Sequence, residues 1–265
     1  MVFWGLYSVG ICTGVDTHML SAIFHEMESQ FINLKPNEID KPIYRILSFE
    51  HLIEMFQSKR NTLLNPAKWD DKHENLFLNS TLEINGLQLK SELGKSMFCQ
   101  CWSFTKESDT MWRAYSLHKK AVKISSTPRK LLSGLFQVDN NIHKVFVGKV
   151  TYLTSSKLEK LFNENAKDWV FDQEGVGKSK TLLYKRYPFK NENEVRLIYN
   201  TFINADKLVL KYDFDPFHLV DNIVFDPRID YSDFRTKKLE LREIGFTKGI
   251  VKSNLYKSPN FNIVK

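Results

Sequence analysis

An arginine follows a tyrosine at Tyr44-Arg45, hydroxyl residues flank a phenylalanine at Ser103-Phe104-Thr105, and two glutamates lie two apart at Glu192-Asn193-Glu194. Each type suits one step of a chemistry. A fixed guanidinium makes a forked, charge-assisted contact with a pyrophosphate. A serine hydroxyl orients a second polar group or a ribose hydroxyl. A carboxylate stabilises the oxocarbenium-like charge that develops when a glycosidic bond to ribose breaks. On a strand the two glutamates face one side, about 6.5–7 Å apart. One can then hold a ribose hydroxyl and the other orient an acceptor, with Glu194 the choice for the catalytic carboxylate and Glu192 positioning the acceptor or a ribose hydroxyl. Trp102, Trp112 and Tyr115 offer faces on which a base stacks, and His51 offers a group to line or cap such a pocket.

The same residues have ordinary structural uses. Arg45 suits an ion pair with Asp70 or Asp71. Ser103 suits a hydrogen bond to backbone. Glu192 and Glu194 suit a solvent-facing row paired with Lys and Arg across a sheet, and Arg196 continues that face. The aromatic residues suit a core. Asp70, Asp71 and Glu74 read either as a divalent metal site or as a helix start, where the dipole favours acids; the helix start is preferred, and no metal is expected. Cys99 and Cys101 fall on one face of a strand and, without a second Cys/His pair, read as core rather than zinc ligands. His118 and His143 lack ligand spacing. Gly175 and Gly177 before Lys178-Ser179 lack the full glycine spacing of a phosphate loop.

The elements that must hold these groups follow from periodicity. Strands are predicted at Ile43–Leu47, Thr62–Leu64, Ser96–Thr105, Ala121–Ser126, His143–Leu153, Glu194–Thr201, Leu208–Tyr212, Asn222–Phe225 and Gly249–Leu255. Ser48 is placed to cap a helix carrying Phe49, Leu52, Ile53 and Phe56 on one stripe. Ser108-Asp109 opens a short helix with Met111, Trp112 and Tyr115. Thr127-Pro128 starts another. Further helices are expected at Ser155–Asn165, Lys180–Arg186 and from Asp233 to Glu243. Leu20, Phe24, Met27 and Phe31 give residues 14–40 a helical lead-in, and 164–180 reads as a surface loop. Strands and helices alternate without regular βαβ spacing. The fold class is therefore α+β, a single domain with a mixed or antiparallel central sheet. The expected organisation is an N-terminal arm over 1–40, one domain over 41–256 and a tail over 257–265.

The chain of 265 residues can bury one sizeable core. Three cysteines are too few for a disulfide framework. Met1–Cys12 is apolar but lacks a basic start, and Asp16 and His18 interrupt too early for a membrane span, so it reads as a buried strand or docked arm. The formal net charge of +7 lies in the body of the chain, because Lys35 is the only Lys or Arg before Lys41. A basic body attracts a nucleotide, a nucleic acid or an acidic protein, or is simply a solvated lysine surface.

Several motifs resemble those of the bacterial and phage domain-of-unknown-function family 2971. They are Ile43-Tyr44-Arg45 with Ser48-Phe49-Glu50-His51-Leu52, Leu64-Asn65-Pro66 with Trp69-Asp70-Asp71 and Glu74-Asn75, Cys101-Trp102-Ser103 with Met111-Trp112-Arg113, and Glu192 to Ile198. The resemblance spans about Lys41 to Tyr256 and implies a cytoplasmic bacterial or phage origin without supplying an activity. The order Tyr44-Arg45, Ser103-Phe104-Thr105, Glu192-Asn193-Glu194 is similar to the arginine–serine–glutamate pattern of ADP-ribosyltransferases. That resemblance implies a split sheet, NAD as substrate, and transfer of ADP-ribose or hydrolysis of NAD by a toxin or defence effector. It places Tyr44, Arg45, His51, Ser103, Thr105, Trp112 and Tyr115 around NAD, with a nucleic acid or a protein as acceptor. Two other classes stay open. A metal-dependent nuclease would use Asp70, Asp71 and Glu192 or Glu194, although Arg196 stands where such an enzyme carries lysine. A nucleic-acid-binding module would show scattered acids and a continuous basic face.

Overall fold

The central sheet forks, and the fork is what positions the site. The computed structural model describes residues 29–69, 71–75, 78, 81–84, 87–90, 93–139, 144–201 and 207–259. Its strands are β1 (Phe31–Ile32), β2 (Ile43–Ser48), β3 (Arg60–Leu64), β4 (Thr81–Ile84), β5 (Leu87–Lys90), β6 (Met97–Ser103), β7 (Ala121–Ser126), β8 (Val145–Lys149), β9 (Thr151–Leu153), β10 (Tyr184–Arg186), β11 (Glu194–Asn200), β12 (Val209–Asp213), β13 (Asn222–Phe225) and β14 (Gly249–Lys252). One sheet runs β1-β8-β11-β6-β2-β7-β13-β14, with β3 also on β6 and β12 on β3. The outer pairs β1–β8 and β13–β14 are parallel and the inner ones antiparallel, so the sheet is mixed. β6 meets β2 only where Tyr44 faces Ser103, and meets β3 only where Leu64 faces Cys99. Beyond those points β2 and β3 diverge.

Capping chemistry sets the helices that pack on this sheet. Ser48 Oγ accepts the His51 N–H and starts Phe49–Ser58, which buries Phe49, Leu52, Met55 and Phe56. Ser108 and Thr127 do the same for Asp109–Tyr115 and Pro128–Phe136. Strand alternation then feeds two cores. Val145 and Val147 join Leu197, Phe98 and the helices on one face, whereas Phe146 and Val150 join Ile198, Cys99, Leu182 and Leu183 on the other. β8, β11 and β6 are thus covered on both sides, in one α+β domain.

Several elements differ from expectation. Lys180–Arg186 is not helical. A helix occupies Val176–Lys180, and the chain then extends into β10, which pairs in parallel with β9. Tertiary packing decides this, since Leu182 and Leu183 are fully buried in the second core. The surface loop expected over 164–180 is partly helix, because Ser155–Phe171 runs on and stacks Trp169 on Tyr184, ring centroids 5.5 Å apart. The strand expected over His143–Leu153 breaks at Val150, where the Val150 N–H donates to the Glu194 carbonyl and the Thr151 N–H to the Leu183 carbonyl. The last long helix is Tyr231–Glu243, with Asp233 inside its first turn rather than capping it. Phe31 lies on β1, not on a helix. Met1–Cys12, the helical positions Leu20, Phe24 and Met27, Asp70, His143 and residues 260–265 lie outside the described residues. No helix among the described residues is long and apolar enough to cross a membrane.

Gly148 permits the close approach of Leu183 to β8. A Cβ there would stand 2.3 Å from Leu183 Cδ1. Gly148→Ala should therefore lower the free energy of unfolding by about 1–3 kcal/mol, the usual cost of overpacking. Urea denaturation checks this, and an unchanged midpoint would contradict it.

Candidate active site

Antiparallel register brings the sequence-predicted groups into one row. Glu194 on β11 faces Ser103 on β6, and Ser103 faces Tyr44 on β2. Directly opposed residues share a face. Arg45, next along β2, alternates to the other face, beside Ile124 of β7. The fork opens a cavity of about 240 Å³ at this point, so Tyr44 and Arg45 both line it. Ser103, Tyr115, Glu192 and Glu194 complete its polar wall, with Trp69 and Trp102 also contributing. A second cavity, of about 310 Å³, shares Arg45 and Leu64 with the first and is lined by His51, Arg60, Asn61, Thr62 and Lys211. Arg45 therefore stands between two cavities.

The carboxylate end is an ionic cluster. Lys185 Nζ lies 2.8 Å from Glu194, 2.5 Å from Glu192 and 2.9 Å from Glu74. Arg196 is fully buried. It donates to Glu194 Oε2 at 2.7 Å, to the Leu182 carbonyl at 2.7 Å and to Glu74, and its guanidinium covers the Trp69 ring at 4.4 Å. Two cations serve three carboxylates, so one proton neutralises the cluster. Of the adjacent pair Glu192 and Glu194, Glu192 is the one pushed toward protonation. Burial, then the hydrogen bond and charge of Glu194, push Glu192 up to about 7 against the pull of Lys185. For Glu194, burial is outweighed by Arg196, by the bond from Glu192 and by Lys185, which bring it down to about 2. The two glutamates do not form a strand row: Glu192 ends the turn Tyr187–Glu192 and is half-buried, whereas Glu194 is buried on β11, and both pair with Lys185 instead of lining a solvent-facing row.

Arg45 is the opposite case. Among the described residues no hydrogen bond or ion pair engages its guanidinium, and the ion pair with Asp71 does not form, because Asp71 binds Arg186 at 3.0 Å. Burial holds Arg45 below its ordinary pKa, opposed by Cys101, Tyr212 and Cys99.

The other predicted groups take supporting places. Ser103 Oγ donates to the Glu192 carbonyl at 2.5 Å and accepts the Thr105 N–H at 2.9 Å. Thr105 Oγ1 donates to the Asn191 carbonyl at 3.3 Å. Together they fasten the turn Tyr187–Glu192 beside β6 without pointing a free hydroxyl at the cavity. Trp112 does not line either cavity. It is fully buried, its Nε1 donates to Glu107 at 2.9 Å, and Lys123 sits 5.7 Å from its ring. Helical spacing explains this: Met111 and Tyr115, at i and i+4, take the cavity side. Tyr115 is half-exposed at the mouth, and desolvation, followed by Glu192 and Glu194, raises its hydroxyl to about 12. His51 lines the second cavity, away from the carboxylates. Cys99 is buried and Cys101 half-buried, and both line the first cavity.

Sequence reasoning missed Lys185 and underrated Glu74, Trp69 and Arg196. Arg196 had a signal, since it shares a strand face with Glu194. Lys185 had none, because its segment read as helix. Asp71 caps the turn Lys72–Asn75 by accepting the His73 N–H at 3.0 Å, which is the helix-start reading of that acidic cluster. Of the acids a nuclease would use, those among the described residues face cations: Asp71 faces Arg186, while Glu192 and Glu194 face Lys185. Among the described residues no group of three His, Cys, Asp or Glu side chains is arranged to hold a metal ion.

No protein-family model matches the chain, so the resemblance to domain-of-unknown-function family 2971 gains no support. No curated protein matches it either. The chain is similar to solved structures of Thermus sp. 2.9 DarT. With ADP-ribosylated ssDNA bound, that protein gives a TM-score of 0.39 at 12% identity, over 84% of this chain and 97% of its own. With carba-NAD+ and with NAD+ it gives 0.36 at 12% identity, over 83% of this chain and 97% and 98% of its own.

Glu192 should leave a mark on stability. Its folded value of about 7 lies above the ordinary 4.5. A raised carboxyl contributes stability in full below pH 4.5 and loses it as pH rises through about 7. The unfolding free energy of wild type relative to Glu192→Gln should therefore fall across that window. Denaturant titrations over a pH series measure it, and a flat difference would refute the assignment.

Proposed function

We propose that this chain acts on NAD, as an ADP-ribosyltransferase or NAD glycohydrolase. Arg45 carries the reading: its guanidinium lacks a partner among the described residues and stands between two cavities, one ending at paired carboxylates. A cation drawn partly out of water without a counter-charge is costly, and a bound anion offsets that cost. NAD supplies the matching parts. Its pyrophosphate suits a forked guanidinium, and its two nucleoside halves need a pocket on either side. The cavity of Asn61, Thr62 and His51 offers polar groups to the adenosine half. The cavity of Tyr44, Tyr115, Glu192 and Glu194 takes the nicotinamide ribose.

The chemistry follows from the charges. The bond from ribose C1′ to the nicotinamide nitrogen breaks, and its electron pair stays on nicotinamide. The ribose becomes an oxocarbenium ion, which a cluster of three carboxylates and two cations stabilises once Glu192 is ionised. Water or an acceptor group adds to C1′ and gives its proton to Glu192. Glu194, locked by Arg196 and Lys185, supplies fixed negative charge. Ser103 and Thr105 hold the Glu192 turn, and Trp112 backs the helix that presents Tyr115. A nucleic-acid or protein acceptor, a bacterial or phage cytoplasmic setting and a role as toxin or defence effector belong to the same proposal.

Incubating the protein with NAD should release free nicotinamide. Calorimetric titration of NAD should show Arg45→Lys weakened by about tenfold or more, since lysine lacks the planar fork. Equal affinities would remove Arg45 from the site, and neither nicotinamide release nor NAD binding by wild type would sink the reading.

A further inference from the structure

Lys185 has no counterpart in the motifs that suggested the site, yet it lies at the site's centre. It sits on β10, outside the main sheet, and is almost fully buried. Its single ammonium contacts carboxylates from three separate segments: Glu74 after β3, Glu192 in the turn before β11, and Glu194 on β11. Phe189 of that turn lies 4.7 Å from the ammonium, measured to the ring centroid. A second pair, Arg186 with Asp71, ties the same two peripheral segments together. An ammonium is a compact charge with three donors, so three acceptors saturate it.

We propose that Lys185 is a positioning residue: by bridging Glu74, Glu192 and Glu194 it fixes the Glu192 carboxyl over the cavity and decides how readily that carboxyl ionises. The groups facing Glu192 are few. Lys185 lies on β10, Glu194 on β11, Tyr115 on the helix Asp109–Tyr115 and Tyr152 on β9. Lys185 is the cation among them. Its own proton is secure, because Glu194, Glu192 and Glu74 outweigh the cost of burying it and hold its pKa above the ordinary value. Removing it leaves Glu192 beside Glu194 with burial and like charge unopposed. Removing Glu74 leaves Lys185 one carboxylate fewer to serve and binds Glu192 more firmly. The two changes therefore move Glu192 in opposite directions.

The effect on turnover rests on the NAD reading, whereas the ionisation of Glu192 does not. The test is a carbon-13 NMR titration of the glutamate carboxyls in the full chain, without NAD. Wild type, Lys185→Met and Glu74→Gln are compared, and Glu192→Gln assigns the signal. Lys185→Met should raise the Glu192 midpoint by about one pH unit or more, as expected on losing an adjacent opposite charge. Glu74→Gln should lower it. If Lys185→Met fails to fold, the Glu74→Gln shift decides alone. An unmoved midpoint in either folded variant would overturn the proposal. With NAD present, the pH profile of nicotinamide release should move with the NMR midpoint in each variant. A wild type inactive on NAD would refute the NAD reading and leave the titration result standing.

Discussion

A guanidinium with no exposed surface must be matched, and Arg196 sets that demand at the centre of the sheet. Taking such an ion from water costs several kcal/mol even after relaxation, and removing one partner of a buried pair costs roughly 3–5 kcal/mol. Arg196 is matched by Glu194 two residues away, by the Leu182 carbonyl, by Glu74 and by the face of Trp69. Those partners belong to β11 and to two peripheral segments. Satisfying one ion therefore pulls the chain after β3 and the chain before β10 onto the same end of β11. Leu183 in the niche over Gly148 reinforces the second of these. A buried ionic cluster of this kind is a poor source of net stability, since apolar packing of similar volume often does as well. What it fixes here is geometry: three glutamates held within reach of one lysine.

Arg45 is informative by contrast. Two arginines sit in adjoining parts of one fold with opposite surroundings, Arg196 fully buried and Arg45 half-buried. Arg196 is enclosed by acceptors, whereas Arg45 faces cavities and has no partner among the described residues. The fork between β2 and β3 makes this possible. Where two strands diverge, side chains from both faces of β2 reach one space, and Tyr44 and Arg45 can line it together. The result is a cleft with a positive middle and a negative end, which suits an elongated ligand bearing a central anion and a reacting cationic sugar.

Much of this was legible in the chain. Alternation and caps gave β2, β6, β7, β11 and the helix Phe49–Ser58, because strand periodicity and an N-cap serine are local signals. The residues Tyr44, Arg45, Ser103, Glu192 and Glu194 stood out by type and spacing, and they line one cavity. The segment 180–186 was misread because its strand character is imposed by β9 and by Gly148, which no local pattern encodes. Lys185 vanished from view with it. Trp112 was placed in the site because spacing fixes a helix face but not which face meets the cavity. Ser103 was read as a free hydroxyl or a backbone tie, and the tie to Glu192 depends on a turn from a distant part of the chain.

The central claim is that one cleft, divided by Arg45, holds NAD with its ribose toward the carboxylates. A crystal structure with a non-hydrolysable NAD analogue tests this most directly. The account predicts the pyrophosphate within hydrogen-bonding distance of the Arg45 guanidinium, the nicotinamide ribose beside Glu192 and Glu194, and the adenosine near Asn61 and Thr62. An analogue bound with its pyrophosphate elsewhere, or a cleft that stays empty at saturating analogue, would contradict it.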